Sequence, residues 1–263
     1  MTIALAESIQ VRGRTARVHV GGAGAPLLLV HGGWGGAAMH WERVWERLAS
    51  RYRVIAPDLP GLGDLGEAAL GSVADYAGWL VALLDALGVD RAFCVGNSFG
   101  ASVVWSLAGR FPDRCAGLVL VNGIPMPATP PLLHRAGRSA FARRLMRWAL
   151  TKWIYAPRMV PLAFADPARV PAELRRCMAE DWPRIVPPYA EILIAGDGPP
   201  APSARPLLLF GAADRLPGTG KDAARRLSDK LAGASLRFIE DAGHFPQIEQ
   251  PAAFADALAH YLR

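Results

Sequence analysis

Gly96-Asn97-Ser98-Phe99-Gly100 follows the apolar run Ala92-Phe93-Cys94-Val95 and opens the helix-like run Ala101-Ser102-Val103-Val104-Trp105-Ser106-Leu107-Ala108. The pentapeptide is G-x-S-x-G between a predicted strand and a predicted helix. A serine on so sharp a strand-to-helix turn is held in a strained backbone conformation with its hydroxyl exposed. Glycines two positions to either side let strand and helix approach closely. The helix N-terminus puts partial positive charge where an anion forms during acyl transfer. The same five residues would also suit an ordinary glycine-rich turn, so their meaning depends on what surrounds them.

Working outward, Pro26-Leu27-Leu28-Leu29-Val30 and Ala116-Gly117-Leu118-Val119-Leu120-Val121 are short continuous apolar runs, the pattern of parallel strands buried on both faces. Strands are also expected at 52–56, 206–210 and 235–239, and a hairpin at 12–22. Helices are expected at 37–49, 73–87, 221–231 and 251–262, the last with proline near its first position. Strands alternating with helices predict an α/β fold, a doubly wound, mostly parallel sheet. The alternation breaks between Gly123 and about Ser203, a proline-rich stretch with helical patches and no clear strand. The expected organisation is therefore a first core part at 1–123, an inserted helical cap at 124–203 and a second core part at 204–263.

The chain has 263 residues, 52% hydrophobic and 20% charged, enough apolar content for a substantial core. No apolar run is long enough to span a bilayer, and the N-terminus shows no basic-then-apolar secretion signal. Cys94, Cys115 and Cys177 cannot form a full set of disulfides and lack metal-ligand spacing. The expectation is a cytoplasmic protein without metal or redox cofactor, since no zinc spacing, P-loop or dinucleotide fingerprint occurs. Net charge is +6, and of the 29 basic residues only Lys152, Lys221 and Lys230 are lysines. Such arginine dominance also follows from base composition, so overall charge points to no partner.

A serine hydroxyl is a poor nucleophile near neutral pH and needs a base, and the base needs an orienting group. Leu207-Leu208-Leu209-Phe210 leads into Gly211-Ala212-Ala213-Asp214, and the strand at 235–239 leads into Asp241-Ala242-Gly243-His244. In a parallel sheet the strand C-termini meet at one edge, where ligands bind. Ser98, Asp214 and His244 would converge there, in the order Ser…Asp…His. Asp214 has a turn-capping alternative. Asp241 lies too close to His244 in sequence to bond its ring readily. The strand end at Asn122, where an acid could also stand, carries no charge. His31 reads as a structural histidine at a strand end; His19, His40, His134 and His260 have no comparable context.

With His31-Gly32-Gly33-Trp34, Asp58-Leu59-Pro60-Gly61-Leu62-Gly63, the elbow at 96–100, Gly211 to Asp214 and Gly243-His244, the chain resembles the α/β-hydrolase fold superfamily. Within it the likeness is to small, cap-bearing serine hydrolases, from about Arg12 to Arg263 and weakest in the cap. The resemblance implies that Ser98 is the nucleophile, His244 the general base and then acid, and Asp214 the orienting carboxylate. It implies an oxyanion hole made by the backbone N–H groups of Gly33 and Phe99. Ala101 stands where a second glycine is frequent in such chains.

The triad specifies attack on a carbonyl, and substrate preference must come from the pocket. Trp34, Trp148 and Trp153 are candidates to line it, and Trp34 could equally pack. Between Asp113 and Asp166 there is no acidic residue, while Arg114, Arg135, Arg138, Arg143, Arg144, Arg147, Lys152 and Arg158 accumulate. Such a stretch is either a solvated basic helix face or an attractor for an anionic or acyl-carrier-bound substrate. Nucleic acid and membrane are not expected partners. The favoured reaction is hydrolysis of a carboxylic ester or thioester of a small to medium, largely apolar compound. The elbow Gly96-Asn97-Ser98-Phe99-Gly100 also looks like that of ring-cleavage-product hydrolases, which break carbon–carbon bonds. Against that, Phe245 stands where those enzymes often carry tryptophan. A biosynthetic lyase, acyltransferase or cyclase, and a ligand receptor without activity, complete the alternatives.

Overall fold

The computed structural model describes residues 6–62, 68–126, 130, 139–153, 157–181, 191–192, 194 and 198–262, the side chains of 150–153, 157–158 and 181 excepted. Eight strands form one sheet in the order β1-β2-β4-β3-β5-β6-β7-β8. They are β1 (Glu7–Val11), β2 (Arg14–Gly21), β3 (Ala25–Val30), β4 (Tyr52–Pro57), β5 (Ala92–Asn97), β6 (Cys115–Val121), β7 (Leu207–Gly211) and β8 (Ser235–Ile239). β1 and β2 are antiparallel to their neighbours, and all other pairs are parallel. The doubly wound, mostly parallel sheet expected from the sequence is present.

Alternate residues of each central strand feed opposite layers. Leu28, Val30, Ile55 and Cys94 join the core under α2 (Val73–Ala86) and α3 (Phe99–Arg110). Leu27, Leu29, Val54, Ala56 and Val95 join the core under α1 (Ala37–Ala49) and the final helix Pro251–Tyr261. Both sheet faces are thus covered, which is why these strands read as unbroken apolar runs. Ser72 caps α2 by accepting the Asp75 N–H at 3.1 Å.

The hairpin begins earlier than its sequence pattern suggests, because β1 is a half-exposed edge strand, Glu-Ser-Ile-Gln-Val, with a weak apolar signature. Its turn uses Arg12 at φ +50° and Gly13 at φ +76°, the left-handed pair that a tight two-residue hairpin needs.

Between β6 and β7 no strand occurs among the described residues. This insertion contains α4 (Ala140–Trp153), 3-10 turns at Pro157–Ala163 and Pro167–Arg169, and α5 (Ala172–Arg176), which runs into a π-turn at Cys177–Asp181. After β7 come α6 (Lys221–Lys230), β8, the single turn α7 (Pro246–Glu249) and α8 (Pro251–Tyr261). Among the described residues no helix is long and apolar enough to cross a membrane.

β3 is followed by β4 on one side of it and then by β5 on the other. The strand order therefore reverses between β3 and β5, and the loops leaving their C-terminal ends splay apart to form a crevice.

Candidate active site

Ser98 stands at that reversal. Its backbone has φ +55° and ψ −115°, a sparsely populated conformation for a residue with a side chain. The strain is held from several directions. Ser98 N–H donates to Val121 O of β6 at 2.9 Å, and Ala101 N–H donates back to Ser98 O at 3.0 Å. Gly96 packs onto the backbone of Gly100, and Gly100 onto the carbonyls of Val30 and His31, so close that a Cβ at either would collide. These contacts account for the two flanking glycines.

The neighbouring loop, residues 31–36 after β3, is pinned just as tightly. A Cβ on Gly32 would lie 3.1 Å from Ser98 Cβ and 3.3 Å from Asn97 O, so Gly32 lies against the serine. Asp58 has a fully buried side chain that accepts Ala37 N–H at 2.7 Å and the Arg17 Nε–H at 2.5 Å. It fixes the start of α1 and so the far end of this loop. His31 is completely buried. Its Nε2 accepts Leu59 N–H at 2.8 Å, which leaves Nδ1 to donate to Gly32 O at 2.7 Å.

His244 and Asp214 meet at the ends of β8 and β7. His244 Nδ1 lies 2.8 Å from Asp214 Oδ2, and both side chains are buried. Burial alone would push the Asp214 carboxyl up. The adjoining His244 imidazole, its hydrogen bond, and bonds from Leu216 N–H and Thr219 outweigh that and hold it below the ordinary carboxylate value. The bond of Leu216 N–H to Asp214 Oδ1 is 3.0 Å.

Asn122 takes a part that its lack of charge had hidden. It is fully buried with φ +41°. Its Oδ1 accepts Gly211 N–H at 2.8 Å, which fixes the orientation of the amide, and Nδ2 then donates to Asp214 Oδ2 at 2.9 Å. The residue thus holds the carboxylate in place from the adjacent strand. Asn97 also bridges: its Nδ2 donates to Val121 O and to His244 O, each at 3.1 Å, tying the serine loop to the histidine loop. A hydrogen bond from Ser98 Oγ to His244 Nε2 is not formed among the described residues; such contacts often close only with substrate bound.

The insertion reaches this edge through residues 161–166. His244 N–H donates to Ala163 O at 2.6 Å, and Arg215 N–H to Leu162 O at 3.1 Å. Glu249 accepts Gly243 N–H at 2.6 Å on one oxygen and Ala165 N–H at 2.9 Å on the other. Burial raises the Glu249 carboxyl despite these donors. Phe164 stacks on Phe245 with ring centroids 5.2 Å apart.

Trp34 is 6% exposed and joins this cluster, its ring 6.4 Å from that of His244. Trp148 is 55% exposed on α4, together with Phe141 and Leu145. The side chain of Trp153, and residues Arg135 and Arg138, lie outside the described residues. Ala140, Arg143, Arg144 and Arg147 line an open cavity of about 240 Å³. Glu191 faces Arg143 at 3.5 Å, so an acid from beyond the acid-free stretch meets this basic cluster. Among the described residues no group of three or more His, Cys, Asp or Glu side chains is placed to hold a metal.

A strained serine at the switch point of such a sheet marks the α/β-hydrolase fold. The chain belongs to the alpha/beta hydrolase family, whose sequence model matches residues 27–257. It is 30% identical over 271 residues to a 2-hydroxymuconate semialdehyde hydrolase of Pseudomonas sp. (strain CF600), covering 98% of this chain and 94% of that one. In structure it resembles a thermophilic esterase from Thermogutta terrifontis, with a TM-score of 0.78, 24% identity, and coverage of 99% of this chain and 98% of that one. It also resembles a meta-cleavage product hydrolase from Pseudomonas fluorescens IP01, with a TM-score of 0.76, 23% identity and coverage of 98% and 97%. At those identities the structural likeness speaks for the fold alone.

Proposed function

We propose that the protein is a serine hydrolase that cleaves a carboxylic ester or thioester of a largely apolar small molecule. The observation that carries this reading is the strained Ser98, tied through Asn97 to the loop whose His244 pairs with Asp214 at 2.8 Å. Ser98 Oγ attacks the substrate carbonyl while His244 Nε2 takes its proton. Asp214 accepts from Nδ1–H, holds the productive tautomer and stabilises the imidazolium. The N–H groups of Gly33 and Phe99 receive the negative charge that develops on the carbonyl oxygen. The imidazolium then protonates the departing oxygen or sulfur, and water, deprotonated by His244, releases the acid from Ser98.

Carbon–carbon bond hydrolysis is a second reading, favoured by the near-full-length likeness to the 2-hydroxymuconate semialdehyde hydrolase. A carbanion leaves far less readily than an alkoxide, so that substrate must carry a conjugated carbonyl to accept the electron pair. The same serine, histidine and aspartate serve both reactions.

The test compares a 4-nitrophenyl ester with 2-hydroxymuconate semialdehyde, following products of each with wild type and Ser98→Ala. Ester turnover should fall by about three or more orders of magnitude in Ser98→Ala, leaving only binding and oxyanion effects. Near-normal turnover by that variant rejects the nucleophile assignment. A wild-type enzyme that cleaves the semialdehyde and spares the ester establishes the second reading over the first.

A further inference from the structure

His40 lies on the first turn of α1, beside the serine–histidine–aspartate group but not part of it, and is 1% exposed. Its Nε2 accepts the N–H of Gly32 at 3.0 Å, and its Nδ1 donates to Gly36 O at 2.9 Å. The tautomer is fixed by these two partners: the proton is on Nδ1 and the ring is neutral. Across the same glycine, His31 Nδ1–H donates to Gly32 O at 2.7 Å. Both polar groups of Gly32 are therefore held by imidazoles, whose ring centroids are 5.5 Å apart.

The peptide bond that begins with Gly32 C=O ends with Gly33 N–H. A trans peptide is planar, and its N–H points opposite to its C=O. Fixing the carbonyl toward His31 fixes the Gly33 N–H in the opposite direction. Anchoring Gly32 N–H on His40 removes the remaining freedom, because the two soft dihedrals of Gly32 are bracketed by a bond at each end. Glycine would otherwise be the most mobile residue of the loop, and Gly32 lies against Ser98.

We propose that His40 is a positioning residue that, with His31, aims the Gly33 N–H at the oxyanion formed when Ser98 attacks its substrate. The inference rests on the serine-hydrolase reading above. The ring must accept a hydrogen bond, so it works only as neutral imidazole. Its surroundings keep it so: burial lowers its pKa well below the usual value, and the neighbouring His31 ring adds to this, against the opposing bond to Gly36 O. Phe245 packs edge-on against it with centroids 5.5 Å apart. Asp58 and Arg17 stand behind His31, acting on that ring with opposite signs.

The experiment compares wild type, His40→Phe, His40→Gln and Ser98→Ala. Phenylalanine fills the space and removes the acceptor; glutamine can present an amide oxygen where Nε2 lay. In His40→Phe, kcat for a neutral activated ester should fall about 10–100-fold with KM little changed, less than the 10²–10³ expected when a donor is deleted outright. Affinity for an alkyl boronic acid, which forms a tetrahedral anion on the serine, should fall by the same factor. His40→Gln should recover most of both losses. A kcat for His40→Phe within twofold of wild type overturns the proposal, as does a His40→Gln variant no better than His40→Phe. If His40→Phe fails to fold, the retained kcat and boronate affinity of His40→Gln still carry the test, and their loss in a folded His40→Gln counts against it. Ser98→Ala separates the two levels: activity surviving in it defeats the underlying reading, whereas activity lost in it but unaltered in His40→Phe defeats only the role of His40.

Discussion

Replacing Asn122 by leucine removes one side chain that serves two partners. A hydrogen bond to a carboxylate contributes roughly 1.5–3 kcal/mol, and a buried N–H left alone costs about 1–3 kcal/mol. Asn122 is fully buried and makes one contact of each kind, to Asp214 Oδ2 and from Gly211 N–H. The expected loss of stability is therefore roughly 2.5–6 kcal/mol, which for a chain of this size lowers Tm by on the order of 10 °C. A second signature separates this from simple loss of packing. The Asp214 carboxyl is held below its ordinary value, so it contributes stability above the unfolded-state pKa, and that stability is lost as pH falls through the folded value. Asn122 Nδ2 donates to the same carboxylate, and losing a donor to the charged form favours the neutral one, so in the leucine variant the acid decline of stability should begin at higher pH. Asn122→Asp should move it further, because two adjoining carboxylates share a proton. Denaturant unfolding from pH 3 to 8 measures both effects. A leucine variant whose Tm and acid decline both match wild type would refute the claim that Asn122 holds the carboxylate.

The two loop histidines set another pH dependence. Burial lowers the pKa of both His31 and His40, so each resists protonation in the folded chain while the unfolded chain takes up protons below about pH 6.5. Stability should therefore fall as pH drops from that point, and substituting His40 by Gln should soften the decline; an unchanged slope in urea titrations would exclude His40 as a contributor. The basic cluster on α4 predicts a salt effect confined to charged substrates. With Debye screening of about 8–10 Å at ordinary salt, kcat/KM for an anionic acyl substrate should fall as salt is added. The value for a neutral ester should stay level, and Arg144→Glu with Arg147→Glu should raise KM for the anion alone. Equal salt responses for the two substrates would return α4 to a plain solvated face.

The central strands were legible because a strand buried on both faces has to be apolar at every position, as Leu27 to Val30 and Leu118 to Val121 are. Ser98 and Asp214 could be singled out because each follows such a run, and His244 because it follows the alternating strand Ser235–Ile239; a parallel sheet delivers all these strand ends to one edge. His40 and Asn122 were hidden for the opposite reason. Their roles come from partners 8 and 92 residues distant, and nothing local distinguishes a histidine that accepts a glycine N–H from one that merely packs. Asn122 was visible only as an acid that was missing. The short turn α7 escaped because Pro246 to Glu249 is too brief for any periodicity. The insertion gave composition without placement: Trp148, expected at the pocket, stands half exposed on α4.

Residues 161–166 bear on how specificity could be moved between relatives. Swapping the whole stretch between β6 and β7 is the natural way to build a chimaera with a new substrate range. Yet Leu162 O and Ala163 O accept the backbone N–H groups of Arg215 and His244, Ala165 N–H donates to the Glu249 carboxylate, and Phe164 is stacked under Phe245. By these bonds that short segment is scaffolding for the histidine, although it lies inside the exchanged region by sequence. A graft cut at both strand ends would import a foreign strut beneath the recipient's own His244. A seam placed before Pro157 would exchange α4 and leave the strut with the core it supports.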